Sequence, residues 1–143
     1  MEPTDWGAMS RSQWHPRTQR NMQEWSQAIS TTDGARDFPI LQPLQFRAPV
    51  YVYLTIPKEA PIYAAYDLGA FAQTLMLAAQ NKGIDSIPAY ELIRFPESVR
   101  ADMGIPDDEV LAIGIALGYR DQHPLNKFVS SRVPVEEILT IKE

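Results

Sequence analysis

The chain has 143 residues, of which 45% are hydrophobic and 22% charged, and its formal net charge is −5. This balance is typical of one globular domain, and the negative charge disfavours nucleic acid as a partner because no basic surface would hold phosphodiesters. The sequence contains no cysteine, which excludes disulfides, thiolate metal sites and cysteine nucleophiles. Its longest apolar stretches, residues 49–56 and 110–117, are shorter than the roughly 20 residues of a membrane-spanning helix. With no secretory signal at the start, we expect a cytoplasmic protein that neither spans a membrane nor binds nucleic acid.

The first third of the chain offers few regular patterns. Residues 1–45 are predicted to be an irregular lead-in with one short helix at 18–29, where Met22, Trp25 and Ile29 recur at helical spacing. The pair Asp33-Gly34 then predicts a turn. Residues 49–56 are β-branched and aromatic and end at Pro57, which predicts a strand. Because this strand is apolar on both faces, we expect it to be central in its sheet.

The strongest helix pattern covers residues 67–82. Asp67 is suited to its first turn and Gly83 to its end. Apolar residues cover most of its circumference; they are Leu68, Ala70, Phe71, Ala72, Leu75, Met76, Leu77, Ala78 and Ala79. A helix that is apolar nearly all round must be buried on more than one side, so we expect a partner subunit on one of them.

The second half of the chain predicts three further elements and an apolar tail. Residues 84–88 indicate a short extended piece, and residues 96–103 a helix with Pro96 at its start and Gly104 at its stop. The unbroken apolar run 110–117 predicts a second buried strand. The tail 133–141 is predicted to be extended or mixed, with too many apolar residues to lie in solvent.

Motifs that carry chemistry are absent from the sequence. His15 and His123 are far apart and lack metal-ligand spacing, so we expect two exposed loop histidines and no metal. The acidic run 107–109 lacks the alternation and glycine of a calcium loop. No Walker loop, GxGxxG or GxSxG motif occurs. The residues alone therefore predict a mixed α/β domain and no catalytic side chain.

Five blocks of the sequence, taken together and in this order, resemble the nitroreductase family. They are residues 46–50 (FRAPV), 66–84 (YDLGAFAQTLMLAAQNKGI), Ile87-Pro88, 104–107 (GIPD), and 115–119 (IALGY) followed by Asn126, Arg132, Val133, Pro134, Glu136 and Glu137. The resemblance covers about residues 46–141. It implies that residues 1–45 precede a nitroreductase-like domain at 46–143, which corresponds to the C-terminal part of the family fold.

The resemblance implies a fold, a cofactor and a reaction. The fold would be α+β, a mixed sheet flanked by helices in an interlocked homodimer, with one FMN in each of two sites at the interface. The reaction would be the two-electron hydride reduction of nitroaromatics or quinones by NADH or NADPH. Helix 67–82 would be the central interface helix, and the apolar tail would be the arm that extends the partner's sheet.

The resemblance also implies cofactor-binding residues. Pro88, Ala89, Tyr90 and Glu91 are similar to the loop whose backbone faces the flavin N5 and O4 edge, where a donor would stabilise the reduced flavin. The family usually carries a Gln, Glu or Gly-containing sequence here, so Ala89-Tyr90 is a departure. On local grounds alone, Pro88 is equally well explained as a strand stop.

Two basic residues are candidates for the FMN phosphate. Arg132 is similar to the family arginine at that phosphate, where its fork of donors suits a dianion. Lys127 is a second candidate in the same segment. Without the resemblance, Arg132 would be interpreted as an exposed surface arginine.

The front of the chain departs from the family pattern. The family opens with an Arg-rich, Ser-containing helix start and continues with a Pro-Ser, Asn and Gln-Pro-Trp block beside the flavin. Neither is recognisable; Ser10-Arg11-Ser12 is superficially similar to the first, but residues 13–16 break the pattern. The resemblance therefore implies a chain without the usual N-terminal segment. The alternative hypothesis is a truncated, non-catalytic dimeric relative with weak or no flavin binding.

Overall fold

The computed structural model describes Thr4, Asp5 and residues 11–142. Within these residues the α-helices are α1 (Pro16–Ser30), α2 (Phe38–Leu41), α3 (Tyr63–Asn81) and α4 (Pro96–Met103), and the strands are β1 (Val50–Pro57), β2 (Asp85–Ala89) and β3 (Glu109–Gly118). This combination confirms the α+β class. The described residues divide into two compact units, one containing Thr4, Asp5 and residues 39–121 and the other residues 11–38 and 122–142. No helix in the described part of the chain is long and apolar enough to cross a bilayer.

The first unit is built on a three-stranded sheet in the order β1-β3-β2. Both pairings are antiparallel, where a mixed sheet was expected. The physical reason lies in the connection, because crossover helix α3 makes β1 and β2 run in one direction and β3 then returns between them. The expectation that β1 is central was wrong, since β3 takes the central place among the described strands. Apolar residues on both faces of β1 do not require two neighbouring strands.

The core of this unit lies along β3. Leu92, Leu111 and Ile115 are its largest fully buried side chains, and each contributes on the order of 1.5–3 kcal/mol by leaving water. The Asp5 carboxylate accepts hydrogen bonds from the backbone N–H of Leu111, at 2.7 Å, and from the Arg100 guanidinium. Arg100 also donates to the carbonyls of Pro106 and Glu109. This partly buried ion pair connects α4 and the turn after it to the start of β3.

The predicted helix at 67–82 begins earlier than expected. α3 starts at Tyr63, so Asp67 lies in the helix interior and caps nothing. Its C-terminal end agrees with the prediction, because Gly83 follows with a φ of +76° that suits glycine. The helix 96–103 is confirmed at both ends, with Gly104 in the left-handed region. The strand at 110–117, the extended piece at 84–88 and the helix at 18–29 are confirmed within one to two residues at every end.

A strained turn leads into β1. Gln45, Phe46 and Arg47 are three consecutive residues with positive φ, at 51°, 58° and 53°. The left-handed region costs a residue with a side chain about 1–2 kcal/mol. The backbone of this turn is closed by hydrogen bonds from Gln45 N to Gln42 O and from Arg47 N to Leu44 O, each 2.9 Å long. Packing elsewhere must offset the cost of holding the turn.

The second unit is organised around an aromatic cluster. The Trp25 ring on α1 meets the rings of Phe38 and Phe128 edge to face, with centroids 6.0 and 6.2 Å apart. Such contacts contribute beyond the area they bury. The tail of this unit forms a short 3-10 turn at Val135–Glu137. Its residues Val135, Ile138, Leu139 and Ile141 are exposed in the single chain.

Candidate functional site

The four predicted flavin-loop residues lie where β2 passes into a 3-10 turn. Pro88 and Ala89 are the last residues of β2, opposite Ile115 and Gly114 of β3, and Tyr90 and Glu91 begin the turn Tyr90–Ile93. Pro88 is followed by one more paired residue, so it does not end the strand. It is tolerated because β2 is an edge strand of the described sheet.

A small apolar cluster supports this junction from below. Ala89, Leu92 and Ala116 are buried together. Partly buried apolar residues pack against them; they are Phe46, Ala48, Tyr51 and Tyr53. The 88–91 segment therefore lies next to a packed apolar cluster, whereas the Tyr90 side chain is 40% exposed.

The Glu91 carboxylate is almost buried, with 9% of its side chain exposed. One oxygen accepts a hydrogen bond from the Gln42 amide at 3.2 Å, and the other accepts one from the Arg94 guanidinium at 3.2 Å. Arg94 also lies over the Phe95 ring, 5.3 Å from its centroid. The acid is thus held by two donors, one of which comes from 49 residues away in sequence.

Tyr53 is a titratable residue whose pKa the surroundings clearly change. Burial raises the pKa of its phenol above the usual value of 10.0, and the neighbouring Tyr51 and Asp102 raise it further. Desolvation disfavours the phenolate because a charge loses more than a neutral hydroxyl on leaving water. Tyr53 therefore keeps its proton in the folded protein at neutral pH.

The two predicted phosphate-binding residues lie in the second unit. Lys127 is exposed at the end of the 3-10 turn Pro124–Lys127. Arg132 is exposed, and one of its terminal nitrogens donates to the carbonyls of Ser130 and Ser131 at 3.1 and 3.0 Å and to the Ser130 hydroxyl. Both are open to an anion, and their roles remain predictions. The segment 88–91 belongs to the other unit.

The histidines serve local structure. His15 is exposed and its Nδ1 accepts a hydrogen bond from Arg17 N at the start of α1, in agreement with the expectation. His123 differs, because its side chain is only 26% exposed and its Nε2 lies 3.0 Å from the Asp37 carboxylate. Its Nδ1 accepts from Leu125 N at 3.3 Å. In the described part of the chain, no three His, Asp or Glu side chains come close enough together to hold a metal ion.

Comparison with known proteins relates the chain to a family of reductases. The profile described as "Nitroreductase family" matches residues 8–119. The 4-nitrobenzoate reductase of Nocardioides sp. (strain LMS-CY) is 33% identical over 96 residues, which are 66% of this chain and 39% of that protein. The chloronitrobenzene nitroreductase of Comamonas testosteroni is 30% identical over 112 residues, which are 78% of this chain and 49% of that protein. The chain thus spans less than half the length of these relatives.

Solved structures share the fold. The FMN-dependent nitroreductase NfnB from Mycobacterium smegmatis, solved in complex with NADPH, superposes with a TM-score of 0.86 at 24% identity. The match covers 99% of this chain and 67% of that one. The FMN- and NADPH-dependent NfnB from Sphigopyxis sp. strain HMH superposes with a TM-score of 0.83 at 23% identity, covering 98% of this chain and 66% of that one.

Proposed function

Since this chain belongs to the nitroreductase family, we propose that it acts in an FMN-dependent NAD(P)H oxidoreductase that reduces nitroaromatics or quinones. The observation that carries the proposal is the family match over residues 8–119. Relatives named for the reduction of 4-nitrobenzoate and chloronitrobenzene favour a nitroaromatic substrate. The NfnB structures favour NADPH as the hydride donor.

The residues present are compatible with FMN in their chemistry. The only carboxylate within the segment 88–91, that of Glu91, is held by Gln42 and Arg94. It therefore adds no unscreened negative charge beside a cofactor that becomes more negative when reduced. Exposed cations at Lys127 and Arg132 suit a phosphate dianion. The donor set therefore fits the cofactor that the family uses.

Each residue has a distinct role in this proposal. Bound FMN would supply the two-electron chemistry, by taking hydride from the nicotinamide and passing it to the substrate. The backbone of Pro88–Glu91 would orient the reactive edge, and Arg132 with Lys127 would hold the phosphate. No side chain is assigned as an acid or base, because hydride transfer depends mainly on the relative placement of the reactants.

We also propose a homodimer, for which the surface of α3 gives support. Tyr63, Tyr66, Phe71 and Leu77 are each more than half exposed in the single chain. Several large apolar side chains exposed on one helix are typical of a contact surface. The exposed apolar tail residues are candidates for a separate contact with the partner subunit. A cytoplasmic location remains a prediction.

The proposal is tested by the visible spectrum of the purified protein, before and after dialysis and with added FMN. The family resemblance implies that an N-terminal block, which we do not recognise in this sequence, holds part of the phosphate. We therefore expect partial occupancy and NADPH oxidation that rises on FMN addition. Absence of binding at millimolar FMN would favour the alternative of a non-catalytic family member. Stoichiometric FMN after dialysis would mean that residues 1–45 supply anchors beyond those named.

Arg132→Ala gives the residue-level test. Loss of a charge-assisted contact with phosphate should weaken FMN binding about ten- to a hundredfold, measured by titration of flavin fluorescence. Arg36→Ala removes another exposed arginine of the same unit and should leave the affinity unchanged. Equal affinity in wild type and Arg132→Ala would return Arg132 to the role of a surface residue.

A further inference from the structure

The strained turn before β1 is connected to the loop that follows β2. Residues held in sparsely populated backbone conformations persist where the surroundings over-determine them, and they concentrate at functional sites. Gln45, Phe46 and Arg47 form a run of this kind. The contacts that fix this run therefore indicate which part of the molecule requires it.

Two contacts join the turn to the predicted flavin loop. The Phe46 ring packs against the cluster of Ala89, Leu92 and Ala116. The Gln42 side chain, which closely precedes the turn, donates to the Glu91 carboxylate at 3.2 Å. The Gln42 contact crosses from the segment before β1 to the segment after β2, and the Phe46 contact reaches the cluster that contains Ala89 and Leu92. The strained turn makes the apolar contact, and Gln42, whose carbonyl accepts a hydrogen bond from Gln45 N of the turn, makes the polar one.

The Glu91 carboxylate is fully engaged in hydrogen bonds within the protein. Its two oxygens each accept one hydrogen bond, from Gln42 and from Arg94, and 9% of the side chain is exposed. A carboxylate that is nearly removed from water requires such donors, because an unpaired buried charge is costly. Its position fixes the first turn of Tyr90–Ile93, and with it the peptide between Tyr90 and Glu91.

We propose that Gln42 and Glu91 form a clamp that positions the backbone of Tyr90 for the flavin. The inference rests on the proposed function and deepens it: Glu91 is a positioning residue that acts through Gln42, and its side chain is not a contact of the cofactor. The loop after β2 keeps its shape because the segment before β1 packs against it and donates a hydrogen bond to Glu91.

The test exchanges the amide and the carboxylate between positions 42 and 91. Gln42→Glu sets two carboxylates against each other and should open the clamp. The double variant Gln42→Glu/Glu91→Gln restores one carboxylate and one amide, and the amide introduced at position 91 still offers an oxygen to Arg94. Glu91→Gln alone should be mild, because the Gln42 amide can turn over and present its oxygen. Gln23→Glu, exposed on α1, is the control for added charge.

Two readouts separate the clamp from the proposed function. Hydrogen exchange of the amides in Tyr90–Ile93, measured without cofactor, should rise about tenfold in Gln42→Glu and return in the double variant. FMN affinity should fall about tenfold, and the potential of the bound flavin should shift. A tenfold change in preference between its two redox states equals about 30 mV for a two-electron couple.

The outcomes are distinguishable. Unchanged exchange in Gln42→Glu overturns the clamp, and so does a double variant that stays as open as the single one. Faster exchange with wild-type affinity and potential overturns the positioning role. A wild-type protein that binds no FMN overturns the proposed function, while the exchange measurement still decides whether the clamp exists.

Discussion

Tyr53 shows how the core beneath the predicted flavin loop controls a single ionisable group. Its side chain packs on the cluster of Ala89, Leu92 and Ala116, and this burial is the main cause of its raised pKa. A phenol whose pKa is higher in the folded state than in the unfolded state stabilises the fold while it is protonated. That contribution is complete below the unfolded pKa of about 10 and is lost as the pH rises through the folded pKa.

We expect Tyr53→Phe to reduce the loss of stability at alkaline pH. The wild-type free energy of unfolding should fall as the pH rises above about 10, because the unfolded chain ionises this phenol first. Urea unfolding at several pH values measures the slope. Tyr119→Phe, which removes a phenol that is 80% exposed, should keep the wild-type slope. Parallel pH curves for wild type and Tyr53→Phe would contradict the burial argument.

At the residue scale, the sequence predicted site residues but not their partners. The segment 88–91, Lys127 and Arg132 were assigned by resemblance, and all of them remain predictions. The contacts of Gln42 with Glu91, of Asp37 with His123 and of Asp5 with Arg100 join residues between 49 and 95 positions apart. Nothing in local composition or spacing indicates such pairs, because they form only when the sheet and loops pack.

At the scale of elements, local sequence patterns predicted helix ends correctly where a residue with a strong backbone preference stands at the end. Helix α4 was predicted at both ends because Pro96 suits a first turn and Gly104 takes a left-handed φ. Strand β3 was predicted from its unbroken apolar run. The start of α3 was wrong by four residues, because Asp67 has a capping residue's chemistry but Tyr63-Ala64-Ala65 continue the helix N-terminal to it. Capping preference is a weak signal when the preceding residues also favour helix.

The centre of β3 depends on a glycine for close packing. A Cβ added at Gly114 would lie 2.5 Å from the Leu92 Cβ and 3.2 Å from the Tyr53 ring. Leu92 belongs to the apolar cluster next to the 88–91 segment, and Tyr53 packs against that cluster. The sheet therefore approaches the turn Tyr90–Ile93 more closely here than any side chain would permit.

We expect Gly114→Ala to destabilise the protein by about 1–3 kcal/mol, the usual cost of overpacking a core. Chemical denaturation measures the change. Gly69→Ala is the matched control, because a Cβ there meets nothing within 4 Å in the single chain and alanine favours a helix interior by about 1 kcal/mol. Equal stability of the two variants would contradict the packing at Gly114.

At the scale of the whole molecule, the apolar surface of α3 is the main feature that a single chain leaves unexplained. No residue of this helix is fully buried, although the sequence makes it apolar nearly all round. The apolar pattern of the sequence predicted that α3 is buried on more than one side. In the single chain, one side of α3 is partly buried and the rest is exposed. Sequence alone indicated that something must cover the helix, but neither the geometry nor the strength of that contact.

The dimer proposal therefore predicts a charge-sensitive face on α3. Leu77 is 61% exposed in the single chain, and Leu77→Glu would place two charges, one per subunit, in an apolar interface with no partner. Desolvating them is unfavourable, so the dimer dissociation constant should rise at least about tenfold, as measured by sedimentation or light scattering across a concentration series. Ala70→Glu, also exposed on α3, should act in the same direction.

Leu44→Glu makes the same change at an exposed leucine outside α3 and should leave the dimer intact. A wild-type mass near 16.2 kDa at micromolar concentration would contradict the dimer itself, whereas a dimer weakened only by Leu44→Glu would move the interface away from α3.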